Sequence, residues 1–350
     1  MTDPAKTGRT KRSGVNGPPL VSVLLPARDV EQTLVDCLES LLCQTEARWE
    51  CVLVDDASQD GTRAIATAFA ERDERIRVLS ARGDGIVEAL HTGLAACRAP
   101  LIARMDADDR MHPERLGAQR MALEAQPALA GVGCHVEMIS DGSGSAGREA
   151  YGEWLASIEC PADVRREAFV ECPLAHPTWF LRRETFRRFP YRRGAFPEDY
   201  DLLLRLLRQG ETLGVVPRRL LEWRDTPGRL SRTHPAYTEE AFARCKAEHL
   251  AAGFLAEEPQ YVLWGYGATG RRLRRALAEH GRVPSHIVEL HPGRLGQHIH
   301  GAPVIEPRAL RGLSGRRIVT SVSGAGARTE IRAALRGMDF TELRDFVCAA

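Results

Sequence analysis

WECVLVDDASQDGTRAIATAFAERDERIRVLSA, residues 49–81, decides the fold. A continuous apolar run, partly β-branched, reads as a buried strand that ends in two aspartates. The stretch GTRAIATAFAERD carries helical patterning, and RIRVLSA returns as a third apolar strand. Strand, turn, helix and strand together form a βαβ unit, which joins parallel strands. Upstream, LVSVLLPA (20–27) reads as another buried strand. EQTLVDCLESLLCQT follows with Leu34, Leu38, Leu41 and Leu42 at the spacing of an amphipathic helix. Downstream, GIVEALHTGLAAC is a third helix and LIARM a fourth strand, after which Pro113 is expected to open a helix. This alternation through about residue 125 predicts an α/β fold with a mostly parallel, doubly wound sheet. Such sheets bind ligands beyond the carboxyl ends of their strands. The ends here are PARD, DDAS and MDADD, so all three are expected on one edge of the sheet.

Composition bounds the rest. The chain has 350 residues, 43% hydrophobic and 27% charged, with a formal net charge of +1. These are the proportions of a globular protein, and the charge argues against a nucleic-acid binder driven by bulk charge. Nine cysteines are scattered singly with no CxxC pair, which fits reduced thiols in a cytoplasm rather than a zinc site or disulfide framework. No apolar run approaches the ~20 residues of a membrane span. The basic stretch at 1–18 lacks an apolar core, so it reads as a disordered tail and not a secretory signal. LAGVGCHVEMI (129–139) is expected as a strand, and the Gly/Ser-rich SDGSGSAGREAYG after it as a surface loop. The predicted domain boundary lies near 251–260, giving a domain at 19–255 and a smaller one at 256–350.

Five stretches of the first domain carry chemistry. In VDDASQDGT (54–62), Asp60 suits an N-cap, but a cap does not explain the acidic doublet at the strand end. A carboxylate there can accept a hydrogen bond from a nucleobase N–H. Asp106 and Asp108 stand at i and i+2 after a strand, either as a solvated turn or as paired oxygen ligands for Mg²⁺ or Mn²⁺ beside a diphosphate. Glu198, Asp199 and Asp201 open a helix whose Leu202, Leu203, Leu206 and Leu207 form a packed face. They complement the helix dipole, or one of them serves as a general base held rigidly near an acceptor hydroxyl. His176 and Trp179 are either structural or the lining of a sugar-binding face. Arg224, Arg229, Arg232 and His234 form either a solvated basic loop or a cradle for a diphosphate.

Taken in order, VSVLLPARD, SLLCQT, VLVDDASQDGT, GIVEALHTGL, ARMDADDRMHPERL, HPTWFLRRETF, EDYDLLLRL and WRDTPGRLSR resemble the family 2 glycosyltransferases over residues ~19 to ~250. The resemblance implies a GT-A fold and transfer of a sugar from a nucleotide-sugar to an acceptor, with a divalent cation and inversion. By position, it implies that Pro26, Ala27, Arg28, Asp56, Gly85 and His91 lie along the nucleotide-sugar. Asp106 and Asp108 would be the D-x-D pair, with Asp108 the direct metal ligand. Asp199, with Glu198 beside it, would be the catalytic base. A base whose proton affinity is raised by acidic neighbours suits that role. His176 and Trp179 would lie near the acceptor, and Arg224 and Arg229 in a mobile segment that closes over the donor. Many family members carry Asn where this chain has Asp29 and His91, which bears on donor identity. The implied partners are a UDP-, dTDP- or GDP-linked sugar and a glycan, lipid-linked or small-molecule acceptor. The expected setting is the cytoplasm, peripheral to the inner membrane face at most, in cell-surface glycan or secondary-metabolite synthesis. A retaining transferase or nucleotidyltransferase on a similar sheet, and a nucleotide-sugar-binding scaffold without turnover, are the competing readings.

In the second domain, YVLWGYGATGRRL places Gly265, Gly267 and Gly270 as G-x-G-x-x-G after a strand and at the start of a helix. Glu289 stands roughly 20 residues on, where an acid would meet a ribose. This predicts a small Rossmann-like unit. Its glycines serve either a bound nucleotide or NAD(P), or only a tight turn and docking.

Overall fold

The computed structural model describes residues 17–139, 146–224, 229–313 and 315–350. The basic tail before residue 17 and the centre of the Gly/Ser loop therefore lie outside the described residues. In chain order the chain begins β1 (Val21–Ala27), α1 (Leu34–Leu42), β2 (Trp49–Asp55), α2 (Thr62–Arg72), β3 (Ile76–Ser80), α3 (Ile86–Ala96) and β4 (Leu101–Arg104). It continues with β5 (Arg110–Met111), α4 (Arg115–Ala125), β6 (Leu129–Ile139), α5 (Ala146–Ala156), α6 (Pro161–Glu167), β7 (Phe180–Arg182), α7 (Arg183–Arg188), α8 (Glu198–Arg208) and β8 (Thr212–Arg224). Then come α9 (Leu230–Thr233), α10 (Glu239–Ala251), β9 (Gln260–Trp264), α11 (Ala268–Glu279), β10 (Val283–Val288), β11 (His298–Ile299), β12 (Ala302–Ile305), β13 (Ile318–Thr320), α12 (Ala325–Arg336) and β14 (Phe346–Cys348).

The chain divides into two compact units, 1–140 with 175–190 and 216–224, and 141–174 with 191–215 and 225–350. The first unit holds a sheet in the order β3-β2-β1-β4-β7-β6-β8-β5. β1 and β2 are buried along their whole length, as strands covered on both faces must be. α1 turns Leu34, Leu38 and Leu41 inward. β3, β2, β1 and β4 run parallel, whereas β7 is antiparallel to β4, β6 to β7 and β5 to β8. The expected doubly wound half is present, and antiparallel strands extend it. The register sets Ala27 opposite Asp55 and Leu24 opposite Arg104. The acid-bearing turns after β2 and β4 therefore leave the sheet on the same edge as Arg28.

One expected boundary shifts. Pro113 does not open a helix. Its carbonyl accepts from the Thr45 N–H at 2.9 Å, and α4 starts at Arg115 after the N-cap Glu114. Arg115 then has a buried task. Its guanidinium donates to the Arg104 carbonyl at 2.8 Å and to Gln119 at 3.0 Å, which fixes the end of β4.

The second unit holds a sheet in the order β11-β12-β10-β9-β13-β14. β12, β10, β9, β13 and β14 are parallel neighbours. One of its cores unites Ala247, Leu250 and Leu255 with Tyr261, Leu263 and Leu277. α10, which the sequence assigns to the first domain, thus packs on the β9 sheet. Among the described residues no helix is long and apolar enough to cross a membrane.

Candidate active site

In the first unit the sheet edge gathers Arg28, Asp56, Gly85 and the acidic turn after β4. Asp55 is used locally, accepting from Arg63 at 3.1 Å and from the Ser58 N–H at 3.2 Å. Asp56 instead accepts the Gly85 N–H through both oxygens, each at 3.2 Å, and faces the Arg28 guanidinium at 3.4 Å. Two of the residues placed along the nucleotide-sugar, Asp56 and Gly85, are therefore latched together. Pro26 and Ala27 close β1 beside them, buried in the sheet, and His91 lies half-buried on α3. Asp29 takes φ +51°, a conformation Asn and Asp tolerate best, and its carboxylate accepts the Gln59 N–H at 2.7 Å. The departure from Asn thus keeps the turn and adds a charge that a backbone N–H holds.

After β4, the carboxylates of Asp106, Asp108 and Asp109 each offer an oxygen within 4.8 Å of the others. Ligand oxygens around Mg²⁺ at about 2.1 Å are separated by roughly 3 to 4.2 Å, so this hard-oxygen set fits such a cation with small side-chain shifts. The three acids are held differently. Asp106 is ion-paired to Arg104. Asp109, which lies outside the D-x-D pair read from the sequence, is 0% exposed and accepts the Arg224 N–H at 2.9 Å. Thr33 and Cys37 reach the Ala107 and Asp106 carbonyls at 3.2 and 3.5 Å, so α1 clamps the turn. No short-range pattern announces Asp109, because its partner is distant in the chain.

Arg224, expected in the segment that closes over the donor, is placed here at a strand end. It ends β8, with its guanidinium on Asp36 at 2.5 Å, and that hydrogen bond holds the Asp36 carboxyl below its usual range. His176 and Trp179 correct the expected sugar face. Trp179 is 1% exposed and stacks edge-on against His176, 5.1 Å between centroids, so the indole presents no ring to an acceptor. Burial, aided by Arg104, holds the His176 imidazole far below its ordinary range and neutral.

The second unit carries Glu198 and Asp199 at the start of α8. Glu198 is 4% exposed, and its Oε2 accepts from the Tyr237 hydroxyl at 2.5 Å. Asp199 is half-buried and accepts the Tyr200 N–H at 2.7 Å. Glu171 is raised by burial, with Lys246 pulling the other way, and it acts with Asp199 and Arg229 on the Tyr151 phenol. The third acid of the helix has a different task. Asp201 is 0% exposed and accepts from Arg192 at both oxygens, from Arg205 at 2.8 Å and from His249 at 3.0 Å. Cys245 lies within ligand distance of this pair. The carboxylate is already committed to two guanidinium groups, so the donor set does not suit a cation. Burial raises the Asp201 carboxyl, but His249 and the two arginines outweigh it and bring it to about 2.

In the same unit Gly265 has φ +97°, and a Cβ on Gly270 would lie 2.2 Å from the Gly265 carbonyl oxygen. Both glycines answer to the strand-to-helix turn, while Gly267 faces open space. Glu289 follows β10 and accepts the Tyr266 N–H at 2.8 Å and Arg294 at 3.0 Å.

A sheet that is parallel over β3-β2-β1-β4, extended by antiparallel strands and carrying an acidic edge, fits a class, the GT-A type α/β fold. The family model described as Glycosyl transferase family 2 matches residues 22–189. The uncharacterized glycosyltransferase EpsJ of Bacillus subtilis (strain 168) is 30% identical over 277 residues, covering 75% of this chain and 76% of that protein. The chain belongs to the family 2 glycosyltransferases and is a glycosyltransferase. Its fold is similar to that of S. aureus TarS 1-349, solved in complex with UDP-GlcNAc. The TM-score is 0.55 at 16% identity, over 74% of this chain and 72% of that one. It is also similar to the mannosyltransferase PcManGT of Pyrobaculum calidifontis, solved with GDP-Man and Mn2+. There the TM-score is 0.50 at 15% identity, over 93% of this chain and 82% of that one.

Proposed function

We propose that the chain moves a sugar from a nucleoside-diphosphate sugar to an acceptor hydroxyl with inversion and with a divalent cation. The setting is the cytoplasm, in cell-surface glycan or secondary-metabolite synthesis. The observation that carries this reading is the trio Asp106, Asp108 and Asp109 on the sheet edge that also holds the Asp56–Gly85 latch. That structural relatives were solved with UDP-GlcNAc and with GDP-Man and Mn2+ supports the donor class.

In this reading Asp56 orients the base end of the donor, and its hold on Gly85 keeps the neighbouring turn open. Asp108 and Asp106 would hold Mn²⁺ or Mg²⁺, which when bound offsets the charge of the diphosphate. Arg229 adds cationic charge to the segment expected over the donor. Asp199 takes the proton of the acceptor hydroxyl. The freed oxygen forms its bond to the anomeric carbon from the face opposite the breaking carbon–oxygen bond, and the diphosphate leaves as the anion without protonation. The transferase residues fall within 19–255.

Replacing Asp108 or Asp199 by Asn is expected to lower turnover at least about a thousandfold, more than 4 kcal/mol of barrier, with the fold retained by circular dichroism. Full activity in both variants would sink the assignment. A thermal-shift panel of UDP-, dTDP- and GDP-sugars with Mn²⁺ identifies the donor, because a ligand of the folded state raises its stability by mass action.

For residues 256–350 we propose a Rossmann-like strand order in which the glycines serve the turn. Support comes from the close packing at Gly265 and Gly270 and from Glu289, already bonded to Tyr266 and Arg294. Titration of the full chain with NADH and NADPH is expected to give no saturable change in nicotinamide fluorescence. Saturation below about 1 mM, worth roughly 4 kcal/mol, overturns this reading.

A further inference from the structure

The segment beyond β8, residues 229–238, ends on a tie to the start of α8. Arg229, Leu230 and the residues to His234 form a short helical turn, with the Arg232 N–H and the Thr233 hydroxyl on the Arg229 carbonyl at 2.9 and 3.2 Å. His234 then caps a single 3₁₀ turn, Pro235–Tyr237, accepting the Ala236 N–H at 3.2 Å. Its imidazole stands edge-on to the Tyr237 ring, 6.3 Å between centroids. Thr238 caps α10 immediately afterwards, accepting the Ala241 N–H at 3.3 Å. Tyr237 is therefore gripped from both sides along the chain. Its hydroxyl, the far end of this rigid piece, donates to Glu198 Oε2 at 2.5 Å. Glu198 is the first residue of α8 and the neighbour of Asp199.

We propose that Tyr237 is a positioning residue of the transferase: its hydroxyl fastens the arginine-bearing segment Arg229–His234 to the carboxylates that open α8. The inference rests on the reading of Asp199 as the base. A phenol hydroxyl on an enclosed carboxylate favours its ionised form, and hydrogen bonds to charged groups are the strong ones. Asp199 and Asp201 on α8, with Glu171, Arg229, the Cys172 and Cys245 thiols and the Tyr151 and Tyr200 phenols, are titratable groups acting around these acids. Tyr237 thus holds Glu198 in one rotamer beside Asp199. It also makes the position of that pair answer to the segment that carries Arg229 and Arg232. The tie is invisible to a motif search, since 39 residues separate its partners.

The test uses the full chain and needs no known acceptor. In Tyr237→Phe, ¹³C detection of the Glu198 carboxyl is expected to show its titration midpoint rising by about one pH unit. Amide exchange over 229–238 is expected to quicken at least tenfold while α10 stays protected. In Glu198→Gln the amide oxygen still accepts from Tyr237, so exchange over 229–238 stays within about twofold of the parent chain. Release of UDP from UDP-GlcNAc with Mn²⁺ adds a kinetic reading, with the acid limb of kcat moving upward alongside the Glu198 midpoint and KM changing less than twofold. An unchanged midpoint and unchanged exchange in Tyr237→Phe overturn the proposal. So does a Tyr237→Phe chain that no longer folds, which would make the residue structural, and so does Glu198→Gln loosening the segment as much as Tyr237→Phe. Asp199→Asn separates this inference from the reading beneath it. Turnover that survives there removes the base itself, whereas a dead Asp199→Asn beside an unaltered Tyr237→Phe removes only the role of Tyr237.

Discussion

Gly85 stands at φ +93° with its N–H held by both oxygens of Asp56, so backbone conformation and side-chain chemistry meet at one residue. No atom crowds the space a Cβ would take, and the cost of a side chain there is conformational. Gly85→Ala is expected to destabilise the chain by about 1–3 kcal/mol in urea unfolding, because φ 93° with ψ 166° is a backbone conformation that essentially only glycine adopts. The motif around Asp56 was legible from the sequence, since an acidic doublet at a strand end exceeds what a cap needs. Which acid of the doublet is consumed by the turn was not. That choice depends on Arg63, which draws Asp55 away from the edge.

α8 shows the same division across an element. Its apolar face and acidic start are plain in EDYDLLLRL, and the helix forms at Glu198–Arg208. The three acids have separate fates because successive helical positions point in different directions. Glu198 turns to Tyr237, Asp199 accepts the Tyr200 N–H, and Asp201 turns inward to Arg192, Arg205 and His249. Asp201 is depressed from an ordinary 3.8 to about 2. A depressed acid contributes stability that is present above its unfolded value and is lost as pH falls from about 4 towards 2. The two values correspond to about 2–3 kcal/mol. Asp201→Asn is expected to remove that acid-sensitive component and to cost about 3–5 kcal/mol at pH 7, because it strands buried cationic partners. Urea unfolding of both chains between pH 2.5 and 7 checks it.

At the scale of the molecule, the second unit does not follow the boundary that composition suggests. α10 contributes Ala247 and Leu250 to the core that holds Tyr261, Leu263 and Leu277. Val170 and Trp154, from before the boundary, pack with Val262, Trp264 and Phe346 in a second cluster. Residues 258–350 expressed alone are therefore expected to lack cooperative unfolding and to bind a hydrophobic dye. A chain that keeps both residues 146–174 and α10 should not. A dispersed amide spectrum from the short fragment would overturn this expectation.

The sequence by itself determined the order of strands and helices in the first half of the chain, and with it the edge on which the acids of PARD, DDAS and MDADD emerge. Hydrophobic period and strand-end polarity are local signals, and local signals survive in one dimension. The tertiary structure alone decided which acids gather on the sheet edge and which are enclosed among arginines. It also buried Trp179 and His176 and made Asp109 part of the acidic trio. It drew Tyr237 onto Glu198 and merged α10 with the second sheet. Each of these depends on groups far apart in the chain meeting in a low-dielectric interior, where an unpaired charge is costly and a distant partner settles its role.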